Sequence, residues 1–177
     1  MKELNLANTL TIFRILALPF CAYALFKNGG DDDSWRIIAF TLFFIVGLSD
    51  ILDGKIARSR NQITEFGKLL DPIADKAMLA TASIGASLLG MLSWWVTAIF
   101  LIREIAVTIL RFAVIKNGVI PASKGAKLKT FFQNFSVGFY ILPLPSYLYL
   151  PRDLFTAVAI YLTITTGVTY FRKVLRK

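Results

Sequence analysis

The sequence predicts an all-α integral membrane protein with six transmembrane helices, a short N-terminal interfacial segment and both termini in the cytoplasm. The chain of 177 residues is 56% hydrophobic and contains 15 phenylalanines, and its mean hydropathy is +0.62. A soluble domain of this size does not need so much apolar surface. The polar breaks between the apolar runs are short, so residues 1–177 are predicted to form a single membrane domain.

Each predicted span is a long, mostly apolar run, because a helix needs about 20 such residues to cross a bilayer. Six runs occur, at 10–27, 35–53, 69–92, 93–115, 128–150 and 154–171. Arg14 interrupts the first run and five further spans follow it, which favours a retained first helix over a cleaved signal peptide.

Charge alternates from one polar break to the next and predicts the topology. The first break is net acidic and the third carries no charge, whereas basic residues fill the second break, the fourth break and the C-terminal tail. Cytoplasmic loops are enriched in Lys and Arg, so the termini and the second and fourth breaks are expected in the cytoplasm. The absence of a transit-like N-terminus favours a bacterial inner membrane.

The net charge of +9 is interpreted as a basic rim for anionic lipid head groups and phosphate-bearing substrates. Nucleic acid is not expected as a partner, because the chain has no soluble basic fold. Histidine is absent and Cys21 is the only cysteine. These counts exclude Ser-His triads, His-ligated zinc and thiolate metal clusters, so acid–base chemistry falls to carboxylates, lysine or tyrosine.

Four aspartates stand at fixed spacing between the second and third runs. Asp50 and Asp53 are three residues apart, and Asp71 and Asp75 are four apart, so each pair shares one face of a helix. The short link makes the two helices antiparallel neighbours, which brings the four carboxylates together near the cytoplasmic surface. Carboxylates at membrane depth are costly unless they are paired, and oxygen ligands of this kind favour Mg²⁺ or Mn²⁺ bound together with substrate phosphates.

Small residues accompany the aspartates. Gly54 and Ala57 lie one turn apart, and they would let a flat ligand approach the helix backbone. Small residues also permit close helix packing, so taken alone the pair indicates either role.

The complete pattern is Asp50-x2-Asp53-Gly54-x2-Ala57-Arg58-x8-Gly67-x3-Asp71-x3-Asp75. It resembles the signature of the CDP-alcohol phosphotransferase family at every defining position, and the resemblance extends over the six-helix body. It implies transfer of a phosphatidyl group from CDP-diacylglycerol to an alcohol, with release of CMP and with two divalent metal ions. It also suggests a homodimer.

The resemblance also implies roles for individual residues. The metal ligands would be Asp50, Asp53, Asp71 and Asp75, and Asp75 would be the general base on the acceptor hydroxyl. The CDP moiety would be bound by Asp50, Asp53, Gly54, Ala57, Arg58 and Gly67.

Other motifs bear on the acceptor alcohol. The segments Asn61-Gln62-x-Thr64-x-Phe66-Gly67, Arg103-Glu104-x6-Arg111 and Ser123-x2-Ala126-Lys127-x-Lys129-Thr130 resemble phosphatidylglycerophosphate synthases, whose acceptor is sn-glycerol 3-phosphate. Basic side chains suit a phosphate-bearing acceptor. The expected phosphate ligands are Arg103, Arg111, Lys127 and Lys129. Two alternative roles stay open, since Arg103 could instead pair with Glu104 or an aspartate, and Asn8, Thr11 and Arg14 could cap the first helix or contact substrate.

Other functions remain possible on the sequence alone. A CDP-diacylglycerol-dependent cardiolipin synthase, which uses phosphatidylglycerol as acceptor, shares the Asp-Pro-x-x-Asp-Lys variant, whereas Pro72 and Lys76 disfavour an inositol-phosphate acceptor. An aspartate-rich prenyltransferase would carry two separated motifs and more helices. An ion or proton carrier would distribute its charges over several depths, whereas the aspartates cluster at one.

Overall fold

The computed structural model describes residues 6–59, 65–114 and 124–175, and all regular structure in these ranges is helical. Within these ranges, six α-helices and two short 3-10 helices follow one another. The α-helices are α1 Leu6–Phe26, α2 Asp33–Ser59, α3 Glu65–Leu88, α4 Trp94–Val114, α5 Lys124–Ile141 and α6 Tyr149–Leu175. The expected interfacial segment before the first span lies mostly outside the described residues.

The helices coincide with the six apolar runs, but several boundaries differ. Helix α2 continues to Ser59 and α3 starts at Glu65, so the aspartate motif is helical on both sides of its link. The expectation that the fifth span reaches residue 150 is wrong, because α5 ends at Ile141. Pro143 lacks a backbone N–H and disfavours helical geometry in the residue before it. Hydropathy does not register this break because the apolar run continues across it.

Helix α1 packs along both α2 and α3, while α5 and α4 each pack along α6; α3 also contacts α4 and α5, and α2 contacts α5. The buried apolar core is drawn from all six helices. Its largest fully buried members include Leu25, Leu92, Phe100, Val137 and Ile141.

The described bundle has an apolar exterior and polar groups inside. Large apolar side chains are exposed on every helix, for example Phe20, Ile45, Ile84, Ile102, Phe131 and Tyr161. Fully or nearly fully buried polar side chains include Thr11, Arg14, Ser83, Thr97, Lys129, Gln133, Ser136 and Thr163. Exposed apolar surface of this extent is typical of faces that contact lipid or another protein. By length and composition alone, one stretch of the described residues, Ser146–Val174, qualifies as a membrane span.

Polar contacts fix the helix ends. The Oδ1 atom of Asp32 accepts the backbone N–H groups of Ser34 at 2.9 Å and Trp35 at 3.3 Å, which caps the start of α2. The Asn28 amide and these backbone donors hold the pKa of Asp32 below its usual value. At the turn between α3 and α4, Gly90 has a φ of +71°, a conformation that favours glycine.

Arg36, one turn into α2, closes the C-terminal end of α5. Its Nε donates to the carbonyl of Ile141 at 2.9 Å, and its Nη2 donates to those of Tyr140 at 3.1 Å and Leu142 at 3.3 Å. These carbonyls lie at the helix terminus, where intrahelical donors run out. A cation at this terminus also complements the helix dipole. The contact ties α2 to α5 at the N-terminal end of α2, which is remote from Asp50 and Asp53.

Candidate active site

The helix boundaries bring the two aspartate pairs to matched levels. Asp53 lies six residues before the end of α2 and Asp71 six residues after the start of α3, so each is about 9 Å along its axis from the link. Met78 packs near Gly47, and these residues are also nearly equidistant from the link, as antiparallel helices require. Asp50 and Asp75 therefore form the next level of the same pair of helices.

For most of the motif the structure describes the backbone and not the side chain. Seven positions are of this kind: Asp50, Asp53, Gly54, Ala57 and Arg58 on α2, and Gly67 and Asp71 on α3. Among the side chains that are described, no group of three or more His, Cys, Asp or Glu could hold a metal ion. The ligand roles of these residues stay predictions.

The side chain of Asp75 is described, and it pairs with α1. Its Oδ1 lies 3.4 Å from Nη1 of Arg14; the Asp75 side chain is about half exposed (47%), whereas Arg14 is almost fully buried (3%). Nη2 of Arg14 also donates to Oγ1 of buried Thr11 at 3.3 Å. Arg14 thus contacts the predicted general base, a role beyond the two that the sequence left open for it.

A second group of charges joins α4 to α5. Oε1 of Glu104 is paired with Nη1 of Arg103 at 3.1 Å, and the same oxygen accepts a hydrogen bond from Nζ of Lys129. Nη2 of Arg103 donates to Oγ1 of Thr166 on α6 at 3.2 Å. The side chains of Lys129, Arg103 and Glu104 are only 3%, 13% and 15% exposed. The structure therefore brings together two of the four predicted phosphate ligands and places a carboxylate between them.

The other two predicted phosphate ligands, Arg111 and Lys127, are exposed. Lys76, which follows Asp75 on α3, interacts electrostatically with Glu104 and Arg111. The charges of Asp75 and Glu104 therefore both act on Lys76.

Sequence reasoning missed the contribution of α6. Thr166 and Gly167 lie in an apolar run rich in threonine, and spacing alone does not distinguish Thr166 from its neighbours. The sequence also did not predict that Glu104 contacts two cations. It suggests the pairing of Glu104 with Arg103 but not the approach of Lys129 from another helix.

The chain matches known proteins over nearly its whole length. Residues 4–169 match the family model described as CDP-alcohol phosphatidyltransferase. A Mycobacterium tuberculosis protein named "Probable phosphatidylglycerophosphate synthase" is 47% identical over 172 residues, which cover 97% of this chain and 82% of that protein.

Two relatives carry the name "CDP-diacylglycerol--glycerol-3-phosphate 3-phosphatidyltransferase". The protein from Rickettsia typhi is 35% identical over 173 residues, 95% of this chain and 96% of that protein. The protein from Bacillus subtilis is 33% identical over 182 residues, 96% of this chain and 94% of that protein. The chain therefore belongs to the CDP-alcohol phosphatidyltransferase family and is an enzyme of that class.

Proposed function

We propose that the enzyme transfers the phosphatidyl group of CDP-diacylglycerol to sn-glycerol 3-phosphate, giving phosphatidylglycerophosphate and CMP. The observation that carries the choice of acceptor is the Arg103–Glu104–Lys129 cluster, whose three side chains are only 3–15% exposed. Burying two cations against one carboxylate is costly unless an anion also binds there. A phosphomonoester has the required charge, and the names of the relatives at 33–47% identity point to the same acceptor.

For the donor, the proposed metal ligands are Asp50, Asp53, Asp71 and Asp75, holding two Mg²⁺ or Mn²⁺ ions. The donor set fits by its chemistry, because carboxylates are the ligands that these ions prefer. The backbone positions of the four aspartates also stand at similar distances from the link between α2 and α3. When bound, the ions would neutralise the diphosphate and the charge that develops on the leaving CMP. Gly54, Ala57, Arg58 and Gly67 complete the proposed CDP-binding set.

The transfer needs one proton acceptor and no covalent enzyme intermediate. The acceptor hydroxyl oxygen attacks the β-phosphorus of CDP-diacylglycerol, the bond from that phosphorus to the CMP oxygen breaks, and Asp75 takes the hydroxyl proton. Arg14 supports this role because it holds the Asp75 carboxylate from α1.

For the acceptor, Arg103, Arg111, Lys127 and Lys129 would bind the phosphate of glycerol 3-phosphate. Arginine suits this task because its planar fork makes two parallel hydrogen bonds to phosphate oxygens. The exposed pair, Arg111 and Lys127, would meet the acceptor first as it enters from water, and the buried pair would bind it at the end of its path.

We also propose that all six helices span a bacterial inner membrane, with the termini and the active site facing the cytoplasm, and that the enzyme is a homodimer. The apolar exterior of the described bundle supports the membrane assignment. The alternation of loop charge supports the orientation.

The alternative is a cardiolipin synthase that uses CDP-diacylglycerol and phosphatidylglycerol. The segment Asp71-Pro72-Ile73-Ala74-Asp75-Lys76 is compatible with both reactions. A buried basic cluster suits a small phosphomonoester better than the phosphodiester of a lipid, because the monoester carries more charge.

The direct test uses detergent-purified protein, radiolabelled glycerol 3-phosphate, CDP-diacylglycerol and Mg²⁺, with label in lipid and CMP release as readouts. Label in the lipid phase that is lost on adding EDTA is the expected result. CMP release with phosphatidylglycerol and none with glycerol 3-phosphate would replace the acceptor. No CMP release with any alcohol would contradict the proposed reaction.

A further inference from the structure

The predicted phosphate ligands Arg103 and Lys129 lie on different helices and have long, flexible side chains. Such side chains lose considerable rotamer freedom when they are fixed, so a preassembled site needs groups that hold them before the ligand arrives. Two side chains with no role in the proposed chemistry contact them: Glu104 on α4 and Thr166 on α6.

We propose that Glu104 and Thr166 are positioning residues of the acceptor site, which hold Arg103 and Lys129 as a preformed receptor for the acceptor's phosphate. This inference rests on the proposed function and extends it to residues outside the predicted ligand set. Glu104 sets the spacing of the two cations because one oxygen, Oε1, contacts both. Thr166 sets the direction of the Arg103 guanidinium from the opposite side.

The hydrogen bonds of Thr166 show why a hydroxyl suits this position. Its Oγ1 donates to the carbonyl of Leu162 at 2.6 Å, so the hydroxyl proton is committed to the backbone and the oxygen lone pairs are available to accept from Nη2 of Arg103 at 3.2 Å. The neighbouring Gly167 leaves room for the arginine, because a Cβ built there would lie 3.3 Å from Cγ of Arg103. Helix α6 therefore supplies both a hydrogen-bond acceptor and the space beside it.

The charge balance explains why Glu104 would not defeat phosphate binding. The Glu104 carboxylate offsets one of the two cations that it contacts, and Lys76 adds a third positive charge that interacts with Glu104. The cluster therefore keeps a positive excess that a phosphomonoester dianion can neutralise. Removing the carboxylate would leave buried Lys129 and Arg103 repelling each other.

The chain offers a matched control for Thr166. Thr163 lies on the same helix, is fully buried and donates to the carbonyl of Ala159 at 2.6 Å. Its Oγ1 accepts from Nε2 of Gln133 at 3.0 Å and not from a predicted phosphate ligand. Thr→Val is nearly isosteric, so each substitution deletes one hydroxyl from a similar setting on α6.

The experiment compares Thr166→Val, Thr166→Ser and Thr163→Val with the wild type, measuring kcat, the KM for each substrate and thermal stability in detergent. Thr166→Val should raise the KM for glycerol 3-phosphate about three- to tenfold, within the range for the net contribution of one typical hydrogen bond, and leave the KM for CDP-diacylglycerol unchanged. Thr166→Ser, which keeps the hydroxyl, should stay within about twofold of wild type. Thr163→Val should lower thermal stability without changing either KM.

Glu104→Gln tests the second positioning residue, and it should raise the KM for glycerol 3-phosphate by more than Thr166→Val does, because it removes a charge that two cations share.

The inference is overturned if Thr166→Val leaves the KM for glycerol 3-phosphate unchanged, if it raises both KM values equally, or if Thr163→Val changes the KM for glycerol 3-phosphate as much. The proposed function is judged separately on the wild type. If the wild type transfers nothing to glycerol 3-phosphate, the acceptor assignment fails and this inference falls with it.

Discussion

Replacing Arg36 by Met should destabilise the bundle without altering the chemistry. The guanidinium donates three hydrogen bonds to carbonyls at the end of α5. At about 1 kcal/mol net for each bond of a partly buried group, the loss is about 3 kcal/mol. For a chain of this size each kcal/mol corresponds to about 2–4 °C in Tm, so a fall of about 6–12 °C is expected.

The assay is thermal unfolding of the purified protein in one detergent, with CMP release at saturating substrate measured in parallel. The Tm of Arg36→Lys should lie between those of the wild type and Arg36→Met. An ammonium group is a single point donor and cannot reproduce the arginine fork that spans three carbonyls. Arg172→Met, at an exposed position near the end of α6, is the matched control for loss of a positive charge. A Tm for Arg36→Met within about 2 °C of wild type would correspond to a loss of at most about 1 kcal/mol. That result would refute the prediction that Arg36 stabilises the bundle by capping α5.

Three further predictions concern the site. Asp50→Asn, Asp53→Asn or Asp71→Asn should each abolish turnover while the protein remains membrane-inserted, and near-normal activity in any one of them would contradict the two-metal assignment. Arg111→Ala should raise the apparent KM for glycerol 3-phosphate and not that for CDP-diacylglycerol, and an equal rise in both would move this residue out of the acceptor site. Arg14→Gln should lower kcat on the order of tenfold or more with smaller changes in KM, because the proposed base Asp75 loses its ion pair with a buried partner. An unchanged kcat in steady-state assays would show that the Arg14–Asp75 pair does not support catalysis.

Much of the fold could be predicted because the apolar runs are long and the breaks between them are polar. The sequence could not show where α5 ends, since Leu142, Pro143 and Leu144 continue the apolar run while proline stops the helix. It also placed the start of α3 several residues late, because Glu65 and Lys68 are charged and fall before the apolar run that begins at residue 69.

The two parts of the candidate site differ in how well the sequence predicts them. The aspartate motif is local: its residues lie on two helices joined by a short link, so spacing and helical periodicity are enough to predict their matched levels on the two helices. The Arg103–Glu104–Lys129 cluster depends on contacts between helices that are far apart in the chain. Lys129 reaches Glu104 over 25 residues and Arg103 reaches Thr166 over 63, and no periodicity encodes such distances.

By itself, then, the sequence determined the helical class, the family resemblance and the paired carboxylates, because each depends on residue type and spacing within one or two neighbouring helices. Only the tertiary structure decided that Arg14 meets Asp75, that Glu104 is shared by two cations and that Thr166 of α6 accepts a hydrogen bond from Arg103. The physical reason is that these contacts arise from the way α1, α4 and α5 pack against α3 and α6 packs against α4 and α5. That packing is set by the shape of the whole apolar core, which the spacing of any single segment does not specify.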